Sequence, residues 1–177
     1  SWDKPMTITD VPGFQASGIA SGIKSNNELD LALITTEDRK PVAAAGVFTS
    51  NKMTAAPVLV TRKHLEITGG AASAVVLNSG NANAATGEQG LLDAEQMCQL
   101  TAQGIGCDPS EVLVCSTGWI GYPLPMEAVT FGITNAIDSL KDDQGKVAAQ
   151  AIMTTDTVPK NTFVSGKGFS IGGISKG

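Results

Sequence analysis

Ser116, Thr117 and Gly118 stand directly after a β-like run, Glu111 to Cys115, inside the segment Cys115-Ser116-Thr117-Gly118-Trp119-Ile120-Gly121. Hydroxyls and flexible backbone at a strand end can aim O–H and N–H donors at a developing negative charge, which is what acyl transfer through a tetrahedral intermediate needs. A second cluster, Ala151-Ile152-Met153-Thr154-Thr155-Asp156-Thr157, follows a helix-like run and offers hydroxyls and a carboxylate to a polar substrate. A third, Gly172-Gly173-Ile174-Ser175-Lys176-Gly177, brings an ammonium; it stops with no loop, cap or polar tail, so the functional polypeptide is expected to continue beyond Gly177. Asn78-Ser79-Gly80-Asn81-Ala82-Asn83-Ala84 places amides at the end of an apolar strand, where they are expected to shape a pocket or to hold the oxyanion loop.

Each cluster also has a plain reading. Ser-Thr-Gly is common chemistry for a strand-ending turn. Thr154 to Thr157 followed by Pro159 is what a helix terminus contains, and Lys176 is an ordinary solvated lysine. Other chemistries fit less well. Ser116 lacks the Gly-x-Ser-x-Gly setting of a hydrolase, and the single histidine, His64, sits in the polar run Thr61-Arg62-Lys63-His64, where a solvated surface side chain is expected. The glycines Gly87 and Gly90 match neither a phosphate loop nor a dinucleotide fingerprint. One histidine and three scattered cysteines give no metal-ligand spacing, so neither metal nor cofactor is expected. Cys98, Cys107 and Cys115 are expected as buried free thiols, and Cys115 has no activating base nearby in sequence.

The elements that must position these clusters are legible in outline. Ser17 to Ile23, Leu29 to Thr35, Ala43 to Thr49 and Pro57 to Thr61 read as a meander of short strands, with Ser25-Asn26-Asn27 and Glu37 to Pro41 as turns. Ala74 to Leu77 is a continuous apolar strand delivering the asparagine loop. From Glu88 the period becomes helical, with Leu91, Ala94, Cys98, Ala102 and Ile105 on one face, ending near Gly104 to Gly106. Glu111 to Cys115 is the next strand. Pro125 opens a helix carrying Met126, Val129, Ile133, Ile137 and Leu140, and Asp142 or Asp143 caps a third helix, Lys146 to Met153. Thr162 to Val164 and Phe169 to Ile171 close as strands, and the class is α+β.

Composition sets the outer bounds. With 177 residues, 42% hydrophobic and 16% charged, the chain suits one domain or one lobe of a larger unit. Only 5% of residues are aromatic while glycines number 20, so the core must rely on small side chains and close backbone approach. A formal charge of −5 with no basic stripe argues against nucleic acid. No run is apolar for the roughly 20 residues a membrane helix needs, and Ser1-Trp2-Asp3-Lys4-Pro5 lacks a signal pattern, so the expected compartment is the cytoplasm.

Taken with the asparagine loop, the Cys115–Gly121, Ala151–Thr157 and Gly172–Gly177 motifs closely resemble the α chain of ornithine acetyltransferase, also called glutamate N-acetyltransferase, over nearly the whole sequence. The resemblance implies a layered α/β sandwich of the ornithine acetyltransferase and self-processing aminopeptidase type, completed by a β chain. It implies a precursor that cuts itself before a threonine lying beyond Gly177, in a continuation of the form Ser/Ala-Gly-Met…Met-Ala-Thr, the threonine becoming the nucleophile. Residues 1–177 are then a single α-chain lobe. The resemblance further implies that Thr117 and Gly118 form the oxyanion hole, and that Thr154 and Lys176 contact substrate.

The activity so implied is ping-pong acetyl transfer from N-acetylornithine to glutamate within arginine biosynthesis, by an α2β2 or larger assembly. Some members also take acetyl-CoA as donor, and relatives in antibiotic pathways use other acceptors. Two further readings stay open at this point. One is a self-processing aminopeptidase or amidase, with water as acceptor; the other is a noncatalytic binding lobe. A threonine after Met-Ala beyond Lys176 separates catalysis from binding.

Overall fold

The computed structural model describes residues 6–176; the N-terminal pentapeptide Ser1–Pro5 and Gly177 lie outside the described residues. At its centre is a four-stranded sheet in the order β1-β2-β5-β6, formed by β1 (Phe14–Ile19), β2 (Leu31–Thr36), β5 (Ala74–Asn78) and β6 (Val112–Ser116). The pairs β1–β2 and β2–β5 are antiparallel and β5–β6 is parallel. A parallel pair needs a long crossover, supplied here by α2 (Gly87–Ile105). Two ribbons flank the sheet: β3 (Val42–Ala43) with β4 (Ala71–Ala72), and β7 (Lys160–Gly166) with β8 (Phe169–Ser175).

Strand alternation divides the core in two. Leu31, Leu33, Val76, Val112 and Val114 face a helical layer of α1 (Ala56–Thr68), α2 and α3 (Met126–Asp138), meeting Val60, Met97, Cys98, Val129 and Ile133. Ala16, Ala32 and Leu77 face the other way, toward Ile8, Ile174 and α4 (Gly145–Ala151) with its Ala148 and Ala151. The small-residue core expected from composition is visible where α4 crosses β1: a Cβ on Gly18 would stand 2.6 Å from the Val147 carbonyl oxygen, so only glycine lets the helix approach this closely.

Four sequence expectations change. Pro57 to Thr61 is the first part of α1, not a strand; its β-branched residues lie on a helical face with buried Val60, Thr61 and His64. The reason is tertiary. Thr61 Oγ1 donates to the Val114 carbonyl at 2.7 Å and accepts the Val114 N–H at 3.0 Å, so α1 satisfies and covers the open edge of β6. His64, expected at the surface, is buried on the same face with Nδ1 2.8 Å from the Val112 carbonyl. Of Ala43 to Thr49 only Ala43 is in a strand. Finally, the residue before α4 is Gln144 without a side-chain cap, and the Gly145 N–H is instead met by Thr9 Oγ1 at 3.1 Å.

One row of the register decides where a site can form. Ile19 pairs with Leu31, Leu31 with Asn78, and Asn78 with Ser116, so the β1–β2 loop and the carboxyl ends of β5 and β6 emerge at the same end of the sheet. Loops at the carboxyl ends of parallel strands are where α/β sheets place ligands.

Candidate active site

The turn after β6 is stitched to the turn after β5. Thr117 N–H donates to the Asn78 carbonyl at 3.1 Å, Trp119 N–H to the Gly80 carbonyl at 3.5 Å, and the Trp119 carbonyl accepts Ala82 N–H at 2.9 Å. The Thr117 hydroxyl and the Gly118 N–H lie outside these bonds. Gly118 has φ +134°, and a Cβ there would meet the Gly80 carbonyl carbon and stand 2.5 Å from the Asn81 nitrogen. No side chain fits. Backbone stacked on backbone thus holds this turn rigidly, as a pre-aimed oxyanion site requires. Ser116 Oγ is buried, whereas Thr117 is among the residues that line the open cleft.

The asparagines serve the loop, as the sequence suggested. Asn78 Nδ2 donates to the Asn81 carbonyl at 2.8 Å, Asn81 Nδ2 to the Tyr122 and Pro123 carbonyls at 3.1 Å each, and Asn83 Nδ2 to the Gly90 carbonyl at 2.9 Å. Asn81 Oδ1 accepts the Asn83 N–H at 2.8 Å. These amides replace a regular backbone ladder where the chain turns between β5 and α2.

A cleft of about 730 Å³ opens over the Thr117–Gly118 turn. Gly80 and Trp119 form one side, Thr154 and Thr155 another, and the β1–β2 loop contributes Ile23, Lys24, Ser25 and Glu28. Two contacts bring the segment after α4 to this end of the sheet. Ser79 Oγ donates to the Ala151 carbonyl at 2.6 Å, and Lys24 Nζ to the Met153 and Leu29 carbonyls at 2.5 and 3.3 Å. Asp156 accepts an ion pair from Lys160 Nζ at 2.7 Å, which holds its carboxyl below the usual range, and it keeps this carboxylate within its own segment.

The β1–β2 loop is organised by one buried carboxylate. Asp30 accepts Ser21 N–H at 2.8 Å and Ser21 Oγ–H at 2.6 Å on Oδ1, and the N–H groups of Gly22 and Lys24 at 3.2 and 2.9 Å on Oδ2. Four donors compensate the desolvated charge.

Lys176 sits at the same end of the sheet, with Nζ 3.5 Å from the Asn78 carbonyl oxygen. Burial pushes its ammonium down to about 8, partly offset by Cys115. Cys115 is half-buried and its thiol is pushed up by burial despite the Lys176 charge, so it is not a poised thiolate. All three cysteines are free, but only Cys98 is fully buried. Burial raises the Cys98 thiol strongly and takes Cys107 up to about 11. Among the described residues no cluster of three His, Cys, Asp or Glu side chains could hold a metal ion.

The model of the family described as the ArgJ family matches residues 15–177. The chain belongs to the ArgJ family. It is 53% identical over 157 residues to the arginine biosynthesis bifunctional protein ArgJ 1 of Clostridium acetobutylicum, covering 89% of this chain and 38% of that protein. It is 47% identical over 172 residues to the ArgJ protein of Streptomyces avermitilis, covering 97% of this chain and 44% of that one. The chain therefore spans about two fifths of the length of the curated relatives it matches. Among solved structures it is similar to the ornithine acetyltransferase of Mycobacterium tuberculosis complexed with ornithine, at 42% identity and a TM-score of 0.92, over 97% of this chain and 91% of that one. The ArgJ protein of Bacillus halodurans matches at 38% identity and a TM-score of 0.85, over 97% and 90% of the two chains. The α+β sandwich expected for the ornithine acetyltransferase type is thus the fold of this chain.

In this ArgJ-family chain the structure brings Thr117, Gly118 and Thr154 to one cleft. Lys176 is placed behind the turn, its ammonium directed at the Asn78 carbonyl rather than lining the cleft wall. The sequence reading missed Lys24, Glu28 and Asp30. Their only signal was a charged turn around Ser25-Asn26-Asn27, a pattern that ordinarily means a solvated hairpin; the register row makes it part of the site.

Proposed function

We propose that this chain is the α-chain lobe of a self-processing glutamate N-acetyltransferase. It supplies the oxyanion hole and substrate contacts for acetyl transfer from N-acetyl-L-ornithine to L-glutamate. The observation that carries this reading is the Thr117–Gly118 turn, locked on Gly80 and Asn81 and opening into a cleft lined by Thr154 and Thr155. Family membership and the similarity to a structure complexed with ornithine support the substrate class.

The nucleophile is a threonine at the start of the β chain, activated by its own amine. Its Oγ bonds to the acetyl carbonyl carbon, the C–N bond of acetylornithine breaks, and the threonine proton passes to the departing ornithine amine. Glutamate then attacks through its amine: a C–N bond forms, the ester C–O bond breaks, and a proton returns to the threonine. In both steps the carbonyl oxygen becomes an anion, which the Thr117 hydroxyl and Gly118 N–H stabilise, each by about 3 kcal/mol. Thr154 orients the amino-acid portion, and the Lys176 ammonium turns from the Asn78 carbonyl into the cleft to pair with the α-carboxylate common to both substrates. The working enzyme is an α2β2 or larger cytoplasmic assembly. Among the described residues no helix is long and apolar enough to cross a membrane.

The test is to incubate the processed product of the full precursor with N-acetylornithine and glutamate, without coenzyme A. Equal amounts of N-acetylglutamate and ornithine are expected. Mainly acetate identifies a hydrolase, and neither product from cleaved, assembled protein refutes the substrate assignment.

A further inference from the structure

A second pocket, of about 400 Å³, adjoins the first and shares Ile23, Gly80 and Trp119 with it. Its remaining walls are Asn81, Tyr122, Pro123 and Pro125. The two differ in chemistry. The first presents Lys24, Ser25, Glu28, Thr154 and Thr155, groups suited to a zwitterionic amino acid. The second is aromatic, aliphatic and proline-lined, and its one amide side chain is occupied: Asn81 donates to Tyr122 and Pro123 and accepts from Asn83.

Its aromatic wall is exposed and yet held. Trp119 is 70% and Tyr122 57% exposed in this chain by itself. They contact edge to face, with centroids 5.9 Å apart and planes at 79°. The backbone beneath them is pinned at Gly80 and Ala82, at Asn81, and by the Gly121 N–H to the Ala84 carbonyl at 2.8 Å. A fixed apolar shelf beside a polar cleft is the arrangement of a binding site with two unlike halves.

The border between the pockets is formed by Ile23, Gly80 and Trp119, beside the Thr117–Gly118 turn, which lines the first pocket alone; a tetrahedral carbon bound at that turn carries two further arms. One is the amine-bearing amino acid, which matches the polar cleft. The other is the acyl substituent, for which the adjoining apolar pocket is the chemically matched space. That pocket is much larger than a methyl group. We propose that the Trp119–Tyr122 pocket is an acyl-chain subsite that accepts the hydrocarbon tail of N-acylornithine donors longer than acetyl. The proposal rests on the acyl-transfer reading above, and bond making and breaking are unchanged: only the substituent on the transferred carbonyl differs.

The test uses the processed full-length enzyme with N-acetyl-, N-butyryl- and N-hexanoyl-L-ornithine as donors and glutamate as acceptor, with kcat/KM measured from each N-acylglutamate. The butyryl donor is expected to equal or exceed acetyl in kcat/KM, because each of its two additional methylenes gains favourable contact in an apolar pocket. Tyr122→Ala is expected to lower the butyryl-to-acetyl ratio of kcat/KM about tenfold. Transfer of acetyl with butyryl and hexanoyl both poorer than acetyl overturns the subsite and leaves the transferase reading intact. A ratio unchanged in Tyr122→Ala also overturns it. Consumption of none of the donors overturns both readings. The donor series on the unaltered enzyme decides the matter even if the variant does not assemble.

Discussion

Thr117 and Lys176 meet at one atom: the carbonyl oxygen of Asn78 accepts the Thr117 N–H at 3.1 Å and lies 3.5 Å from Lys176 Nζ. The residue that begins the proposed oxyanion turn and the lysine that follows β8 therefore share an acceptor at the carboxyl end of β5. Charge on Lys176 is felt directly behind the turn, and the shared carbonyl fixes both.

Lys176 links this geometry to pH. Its ammonium, lowered to about 8 by burial, is charged below that value and neutral above it. Affinity for both carboxylate substrates is thus expected to weaken as pH rises through about 8, with KM for acetylornithine and glutamate increasing in parallel. Lys176→Met should raise both KM values about tenfold at neutral pH and remove this pH dependence, as read from initial rates between pH 6.5 and 9.5. The stability sign is opposite. The unfolded lysine keeps its proton to about 10.5 while the folded one loses it near 8, so stability rises with pH between these values, and denaturant midpoints should increase across that window.

Thr117→Ala removes a side-chain donor and leaves the main-chain bond to Asn78 intact. Loss of a single oxyanion donor reduces turnover by about 100-fold or more. The expected result is that loss in kcat with KM changed less than about threefold, measured by steady-state kinetics. Unchanged turnover in the assembled enzyme removes Thr117 from the oxyanion hole.

Gly118→Ala should be damaging for a different reason. The new methyl would press on the Gly80–Asn81 peptide at a residue with φ +134°, a backbone state that costs a non-glycine residue about 1–3 kcal/mol before any clash. A lower thermal midpoint together with loss of turnover is expected; a variant of full stability and activity would show that the turn is not held by this packing.

Asp30→Asn tests the loop on the opposite side of the cleft. The substitution converts one acceptor oxygen into a donor facing N–H or O–H groups that already donate. Leaving such groups unsatisfied costs about 1–3 kcal/mol each. Urea unfolding should show that loss, and KM should rise because Lys24, Ser25 and Glu28 move with the loop.

Much of this molecule was legible before folding was considered. The period of α2, the apolar run of β5 and the hydroxyl–glycine turn after β6 are local patterns, and the structure has them within a residue or two. The role of the asparagine loop was legible for the same reason, since amides next to turns bond to nearby backbone. Pro57 to Thr61 was not. Its β-branched residues favour a strand locally, and they are helical because Thr61 and His64 satisfy and cover the edge of β6, a contact about 50 residues away in sequence. His64 reads as solvated among Arg62 and Lys63, and only the docking of α1 buries it.

The sequence by itself marked which residues are candidates for chemistry, through motifs and the family they resemble: donors at Thr117 and Gly118, hydroxyls at Thr154 and Thr155, an ammonium at Lys176. The tertiary structure alone decided that the first four share a cleft, that Lys176 rests at the Asn78 carbonyl outside its lining, and that Lys24 and Glu28 join them on a loop organised by buried Asp30. The physical reason is the register. Pairing Ile19, Leu31, Asn78 and Ser116 across the sheet brings distant loops to one end, and no local pattern encodes that row.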